Sequence, residues 1–213
     1  MSKRLQAMGV KRYADAFKPT LHPEVLKEPE KWNKPRRIFV CSMSDLFQDD
    51  VPDEFIEQVM GVTGMACQHE YQILTKRPKR MKEFFRKRGY GPEEFENLLV
   101  GTSVENQDYV ERVDHLLRIK DARKFLSIEP LLGPVVLGEK VYELDWVIVG
   151  GESGPKARAM DPDWARALRD ECAEAGTPFF LKQMAKKAEI PEDLMIREWP
   201  EPAIVRQDHL GGW

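Results

Sequence analysis

Polar and charged residues follow short apolar runs at six places along the chain. These are Ser42-Met43-Ser44-Asp45, Thr75-Lys76-Arg77-Pro78, Ser103-Val104-Glu105-Asn106, Glu129-Pro130, Gly150-Gly151-Glu152-Ser153-Gly154 and Lys182-Gln183. If the runs are parallel strands, their carboxyl ends form one rim, which is where β/α architectures bind ligands. Asp45, Ser103, Glu105, Asn106, Glu129, Gly151, Glu152 and Lys182 are the candidate ligand contacts on that rim. Asp45, Glu105 and Asn106 could equally cap helices or satisfy loop amides. Glu129 has less structural use: it shares pleat parity with Ser127 and precedes Pro130, so it has no helix to cap. Gly150 to Gly154 could let backbone amides approach a phosphate or carboxylate, although the string is neither a P-loop nor a GxGxxG run and a tight turn explains the glycines as well. Lys182 emerges at a strand end, either as a counter-ion for substrate or as one half of an internal ion pair.

A second kind of chemistry is electrostatic. Between Lys76 and Arg88 stand eight cations, Lys76, Arg77, Lys79, Arg80, Lys82, Arg86, Lys87 and Arg88, against the single acid Glu83. The run is either a solvated helix face or a footprint for nucleic-acid phosphates, with Lys76, Arg77, Lys79 and Arg80 as the contacts. The histidines, His22, His69, His115 and His209, are scattered, so no metal site is expected, and no serine-histidine-acid spacing is present. Cys41 could face the rim but is expected to be buried and inert, and Cys172 reads as core.

The elements that must position these groups are short strands alternating with helices. The runs Ile38 to Met43, Tyr71 to Thr75, Leu98 to Ser103, Lys124 to Ile128, Trp146 to Val149 and Phe179 to Leu181 read as six parallel strands, near-continuously apolar and so expected to be covered on both faces. Asp50 is expected to cap a helix with Pro52 in its first turn and Phe55, Ile56, Val59 and Met60 inward. Pro78 opens the basic helix, in which Met81, Phe84 and Phe85 should pack. Asn106 or Ser103 opens another, with Tyr109, Val110, Val113, Leu116 and Leu117 recurring at helical spacing. Asp161 followed by Pro162 starts a helix that turns Trp164, Ala165, Leu168 and Cys172 inward.

The expected fold is therefore α/β, a partial (β/α) barrel of TIM-barrel type with about six parallel strands. Residues 1–35 read as an N-terminal helix and an irregular, proline-interrupted connection, 36–184 as the barrel core, and 185–213 as a tail packed on or trailing the core. At 213 residues the chain can bury a core without staples. Its three separated cysteines argue for a reducing, cytoplasmic setting, and no segment has the length or apolarity of a signal peptide or a membrane span. A net charge of −3 excludes a globally basic nucleic-acid binder.

The strings Arg36-Arg37-Ile38-Phe39-Val40, Ser42 through Phe47, Leu74-Thr75-Lys76-Arg77-Pro78, Ser103-Val104-Glu105-Asn106, Glu129 through Pro134 and Trp146 through Gly154 resemble a phage-associated protein family of uncertain function. That family is known by the phage gene products thirty-seven and sixty-eight. Its full-length members look like radical S-adenosylmethionine proteins, with a three-cysteine motif before the residues seen here. The resemblance implies that the family's first strand and cluster loop precede Met1, and that an iron-sulfur cluster and S-adenosylmethionine belong to a form carrying that segment. This chain is then expected to hold no cofactor and to be inactive in radical chemistry, because Cys41, Cys67 and Cys172 share no loop. Gly150-Gly151-Glu152 is similar to the Gly-Gly-Glu with which many radical enzymes grip the methionine amino group, but it follows a late strand, and that role is not transferred.

Three functions are consistent with these residues: an adenosyl or nucleotide-type ligand on the rim, nucleic acid on the basic patch, and a cluster-free barrel enzyme acting on a phosphorylated metabolite at the Gly150 to Gly154 turn.

Overall fold

The computed structural model describes residues 20–42, 44–90, 95–120 and 122–201. The expected N-terminal helix, Met43 and the tail beyond residue 201 lie outside them. The sheet has six parallel strands, β1 (Arg37–Val40), β2 (Glu70–Thr75), β3 (Leu98–Ser103), β4 (Arg123–Ile128), β5 (Trp146–Gly150) and β6 (Phe179–Gln183). Their spatial order follows their chain order. Each βα unit thus adds its strand on the same side, and the sheet curls into a half-barrel, whereas a doubly wound sheet would reverse its order at a switch point. β1 ends at Val40, short of the expected Met43, because Cys41 takes a left-handed backbone with φ 58°.

The connections explain the curl. Helix α1 (Asp53–Met65) buries Ile56, Val59 and Met60, and α2 (Pro78–Arg88) buries Met81, Phe84 and Phe85 before Gly89, in a left-handed conformation, ends it. Helix α3 (Glu111–Leu117) is short and buries Val113 and Leu116. Helix α4 (Pro162–Ala175) buries Ala165, Leu168 and Cys172, with the Asp161 side chain accepting from the Asp163 N–H as its cap. Between β4 and β5 there is only a 3₁₀ segment, Gly138–Glu143, and the Glu171 carboxylate of α4 pins it by accepting from the N–H groups of Leu137 and Gly138.

Three local expectations need correction. Asp50 does not cap α1: Pro52 holds the N-cap position, where it can offer no side-chain acceptor. Tyr109 is not in a buried stripe, because the chain between Asn106 and α3 winds as a 3₁₀ turn with a tighter period; Tyr109 is 41% exposed and lies under the Arg112 guanidinium. The strands are not covered on both faces. Helices cover only the outer face, where Ile38, Ile73, Val100, Leu126, Val147 and Leu181 join the main core. Alternate residues face inward, and there Leu99, Phe125 and Trp146 form a separate small cluster with Leu74, Ile148 and Phe180 against it.

The described end of the chain completes this inner floor. Residues 196–198 run antiparallel along β6, with Leu181 N–H donating to Ile196 C=O and Glu198 N–H to Phe179 C=O, which covers that sheet edge. Trp199 then lies against Trp146 (4.9 Å between ring centroids) and Phe180 (5.1 Å), while the Arg37 guanidinium of β1 stacks over its ring at 4.5 Å. One indole thus bridges the first strand to the last two. Beside it Glu70 pairs with Arg37 and Arg123.

Candidate ligand-binding site

The concave side of the half-barrel holds a cavity of about 680 Å³. Its lower wall is aromatic, from Phe39, Phe125, Trp146, Phe180 and Trp199, and its upper wall carries Ser103, Ser127, Glu129 and Lys182 from the ends of β3, β4 and β6. Volume and lining fit a small organic molecule, since ligand pockets of roughly 300–1,000 Å³ combine apolar walls with a few convergent polar groups. Phe39 is 42% exposed, an aromatic face left open on the cavity.

Two glycines shape this wall. A Cβ on Gly101 would stand 2.5 Å from the Phe125 ring, so the bare backbone of β3 lets that ring lie flat across the floor. A Cβ on Gly150 would stand 2.5 Å from Glu129 Oε1, so β5 is bare where the Glu129 carboxylate rests. Glu129 precedes Pro130 through a cis peptide. Its carboxylate accepts from Ser127 Oγ at 3.4 Å and faces Lys182 Nζ at 3.3 and 3.4 Å.

The other candidates on the rim divide by what they touch. Asp45 lines the cavity, but both its oxygens are in use: Oδ1 accepts from Phe47 N–H and Thr75 Oγ1, and Oδ2 from Lys76 N–H and Arg77 Nη1. It ties the β1 loop to the β2 loop. Glu105 and Asn106 do not line the cavity. Glu105 is buried between Lys76 and Arg112; burial pushes its carboxyl up, and the two cations outweigh that and hold it below the ordinary value. Asn106 caps the turn before α3 by accepting from Asp108 N–H. Ser103 does face the cavity, and its C=O accepts from Arg112.

Gly151 and Glu152 also lie off the cavity. A Cβ on Gly151 would come within 2.1 Å of the Ala185 backbone nitrogen, and its N–H donates to Gln183 C=O, so this glycine serves chain packing. The Glu152 carboxylate folds back on Arg158, accepting from its backbone N–H, Nε and Nη2 at 2.9–3.1 Å. That guanidinium brings the Glu152 carboxyl down to about 2. A carboxylate tied across the turn works against a phosphate nest there.

The basic run is partly consumed by the fold. Arg80 donates to the carbonyls of Gln48 and Val51 and to Asp53, clasping the start of α1; Arg77 pairs with Asp45, Lys76 with Glu105, and Arg88 with Glu57. Arg80 is therefore a structural clamp and not an open phosphate contact, while Lys79 is exposed. Arg86, Lys87 and Arg88 also occupy the last turn of α2, where cations meet the negative end of the helix dipole.

Several site residues are absent from the rim strings. Phe39, Gln72, Leu74, Phe125, Ile148 and Phe180 come to the cavity as inward-facing strand residues, and pleat parity counted back from Glu129 and Lys182 finds Phe125 on β4 and Phe180 on β6. Trp199 has no local signal. Cys41 lines the cavity, and burial pushes its thiol up, away from thiolate character. Cys67 and Cys172 belong to the ends and inner face of helices, and no group of three His, Cys, Asp or Glu residues suited to a metal ion occurs among the described residues.

A curled α/β half-barrel with an aromatic-floored cavity at the carboxyl ends of its strands is thus the class of protein that fold and site define. Residues 1–199 match the family described as "Protein of unknown function (DUF5131)", and the chain belongs to it. No curated protein and no solved structure matches it. No helix among the described residues is long and apolar enough to cross a membrane.

Proposed function

We propose that the concave face of the half-barrel binds an adenosyl or nucleotide-type ligand. The observation that carries this is the cavity of about 680 Å³, aromatic below and hydrogen-bonding above, opening on the rim where β/α folds place their ligands. A purine stacks on aromatic faces such as that of Phe39, and ribose hydroxyls suit the Ser103, Ser127 and Glu129 acceptors and donors. Base stacking of this kind is worth about 1–3 kcal/mol per ring.

The radical-type and phage-related readings rest on the sequence resemblance alone. The described cysteines do not fit an iron-sulfur cluster, because Cys41 lines the cavity whereas Cys172 is buried under the outer helix layer. In the proposed role the residues seen here hold and orient the ligand, and a cluster would have to be held by other residues.

Calorimetric titration with S-adenosylmethionine, S-adenosylhomocysteine and AMP tests the proposal. At least one of them is expected to bind, and Phe39→Ala is expected to weaken it about tenfold with little change in melting temperature. Absence of binding up to millimolar ligand, or binding that neither Phe39→Ala nor Ser127→Ala alters, overturns it.

A further inference from the structure

Among the charged groups lining the cavity, Glu129 and Lys182 stand apart. Asp45 already accepts four hydrogen bonds, Arg77 is held by Asp45, and Lys76 by Glu105. Glu129 and Lys182 instead face each other across 3.3 and 3.4 Å, well beyond the roughly 2.7–2.9 Å of a tight charge-assisted bond, with Ser127 Oγ also near the carboxylate. The Lys182 side chain is 57% exposed on a flexible stem, whereas Glu129 is 20% exposed and sits in the space that Gly150 leaves free.

We infer that this pair is a head-group subsite for a small zwitterion of the amino-acid type, whose ammonium takes the Glu129 carboxylate and whose carboxylate takes the Lys182 ammonium. The inference rests on the cavity being a small-molecule site, and not on the ligand body being adenosyl. Its physical basis is charge matching. A ligand with a lone ammonium would take Glu129 but meet the like charge of Lys182, and one with a lone carboxylate would draw Lys182 away and leave Glu129, only 20% exposed, without its cation. A zwitterion exchanges partners with both and strands neither. Below the pair, Phe125, Ile148 and Phe180 offer an apolar floor to the rest of the ligand.

The test compares L-phenylalanine with phenethylamine, which lacks the carboxylate, and 3-phenylpropionate, which lacks the ammonium, by calorimetry on the full chain. The zwitterion is expected to bind at least tenfold more tightly than either analogue, and Glu129→Gln and Lys182→Gln are each expected to abolish that preference. Gly150→Ala, which displaces the carboxylate without removing it, should reduce the preference while the melting temperature holds. Equal affinity for the three probes, or no binding of the zwitterion at millimolar concentration, overturns the inference even if the adenosyl ligands bind. Binding of L-phenylalanine with its Glu129 dependence, in a protein that ignores every adenosyl probe, supports it and overturns the adenosyl reading instead.

Discussion

Gly150 and Gly151 are adjacent, yet the atoms that would meet an added methyl differ in kind. At Gly150 the obstacle is the mobile end of Glu129, and at Gly151 it is the backbone of Met184 and Ala185. Gly150→Ala is therefore expected to leave folding intact and to disturb the cavity, whereas Gly151→Ala must move the chain after β6 and should cost about 3 kcal/mol. Thermal melts of the two variants, read beside ligand binding, separate the roles; equal destabilisation would refute the distinction. Charge acts at the same scale. Arg158 holds the Glu152 carboxyl, and Arg166 with Arg169 the Asp193 carboxyl, at about 2, against ordinary values of 4.5 and 3.8. Because both are depressed on folding, their stabilisation is complete above the ordinary values and is lost as pH falls through them toward about 2. Both pairs are exposed, so solvent screening keeps the effect small. The urea midpoint is expected to stay level down to about pH 5, decline below that, and decline less in Asp193→Asn.

Helix α2 shows how one element can serve two demands. Its buried face, Met81, Phe84 and Phe85, fits under the sheet, and its cations extend across to neighbouring loops. The Arg80 guanidinium reaches the carbonyl of Val51 and that of Gln48, which also accepts from Val51 N–H in the turn before α1. Arg80→Ala should therefore lower stability by about 2 kcal/mol through lost charge-assisted hydrogen bonds. Lys79→Ala, one residue away and exposed, should have no such effect. If denaturant midpoints move equally, the clamp is wrong. The same comparison bears on nucleic acid: steep weakening with salt that depends on Lys79 would favour a phosphate contact on the exposed part of the helix.

For the molecule as a whole, closure of the half-barrel depends on its last described residues. Trp199 joins Arg37 of β1 to Trp146 and Phe180 across the interior, and Trp146 Nε1–H donates to Glu198 C=O. Removing that indole takes the floor from the cavity and separates the two ends of the sheet. Trp199→Ala is expected to cost about 2 kcal/mol, to lose the near-ultraviolet dichroism of the paired indoles, and to weaken any cavity ligand. A melting temperature and ligand affinity equal to those of the unaltered chain would show the segment to be dispensable.

The number and placing of the strands and the helices α1, α2 and α4 were legible in the sequence because each rests on local forces, whereas the end of β1 was not. Apolar runs that give way to polar residues or glycine, and the cap that Asp161 supplies, act within a few residues. The rim was legible for the same reason, since parallel pairing alone brings the polar residues that follow each strand to one edge. Which rim residues remain open to a ligand was decided only by tertiary structure. Glu129 already stood ahead of Asp45 and Glu105 because it had no helix to cap, but that Asp45, Glu105 and Glu152 are engaged emerged only where Arg77, Lys76 with Arg112, and Arg158 were found against them. Charge partners of this kind lie 6 to 53 residues away, as Glu152 from Arg158 and Glu129 from Lys182. Their pairing depends on where the curled sheet brings side chains together, which no local pattern encodes. The open inner face had the same origin: six near-continuous apolar strands look alike whether both faces are covered or one surrounds a cavity, and only the curl of the sheet distinguishes them.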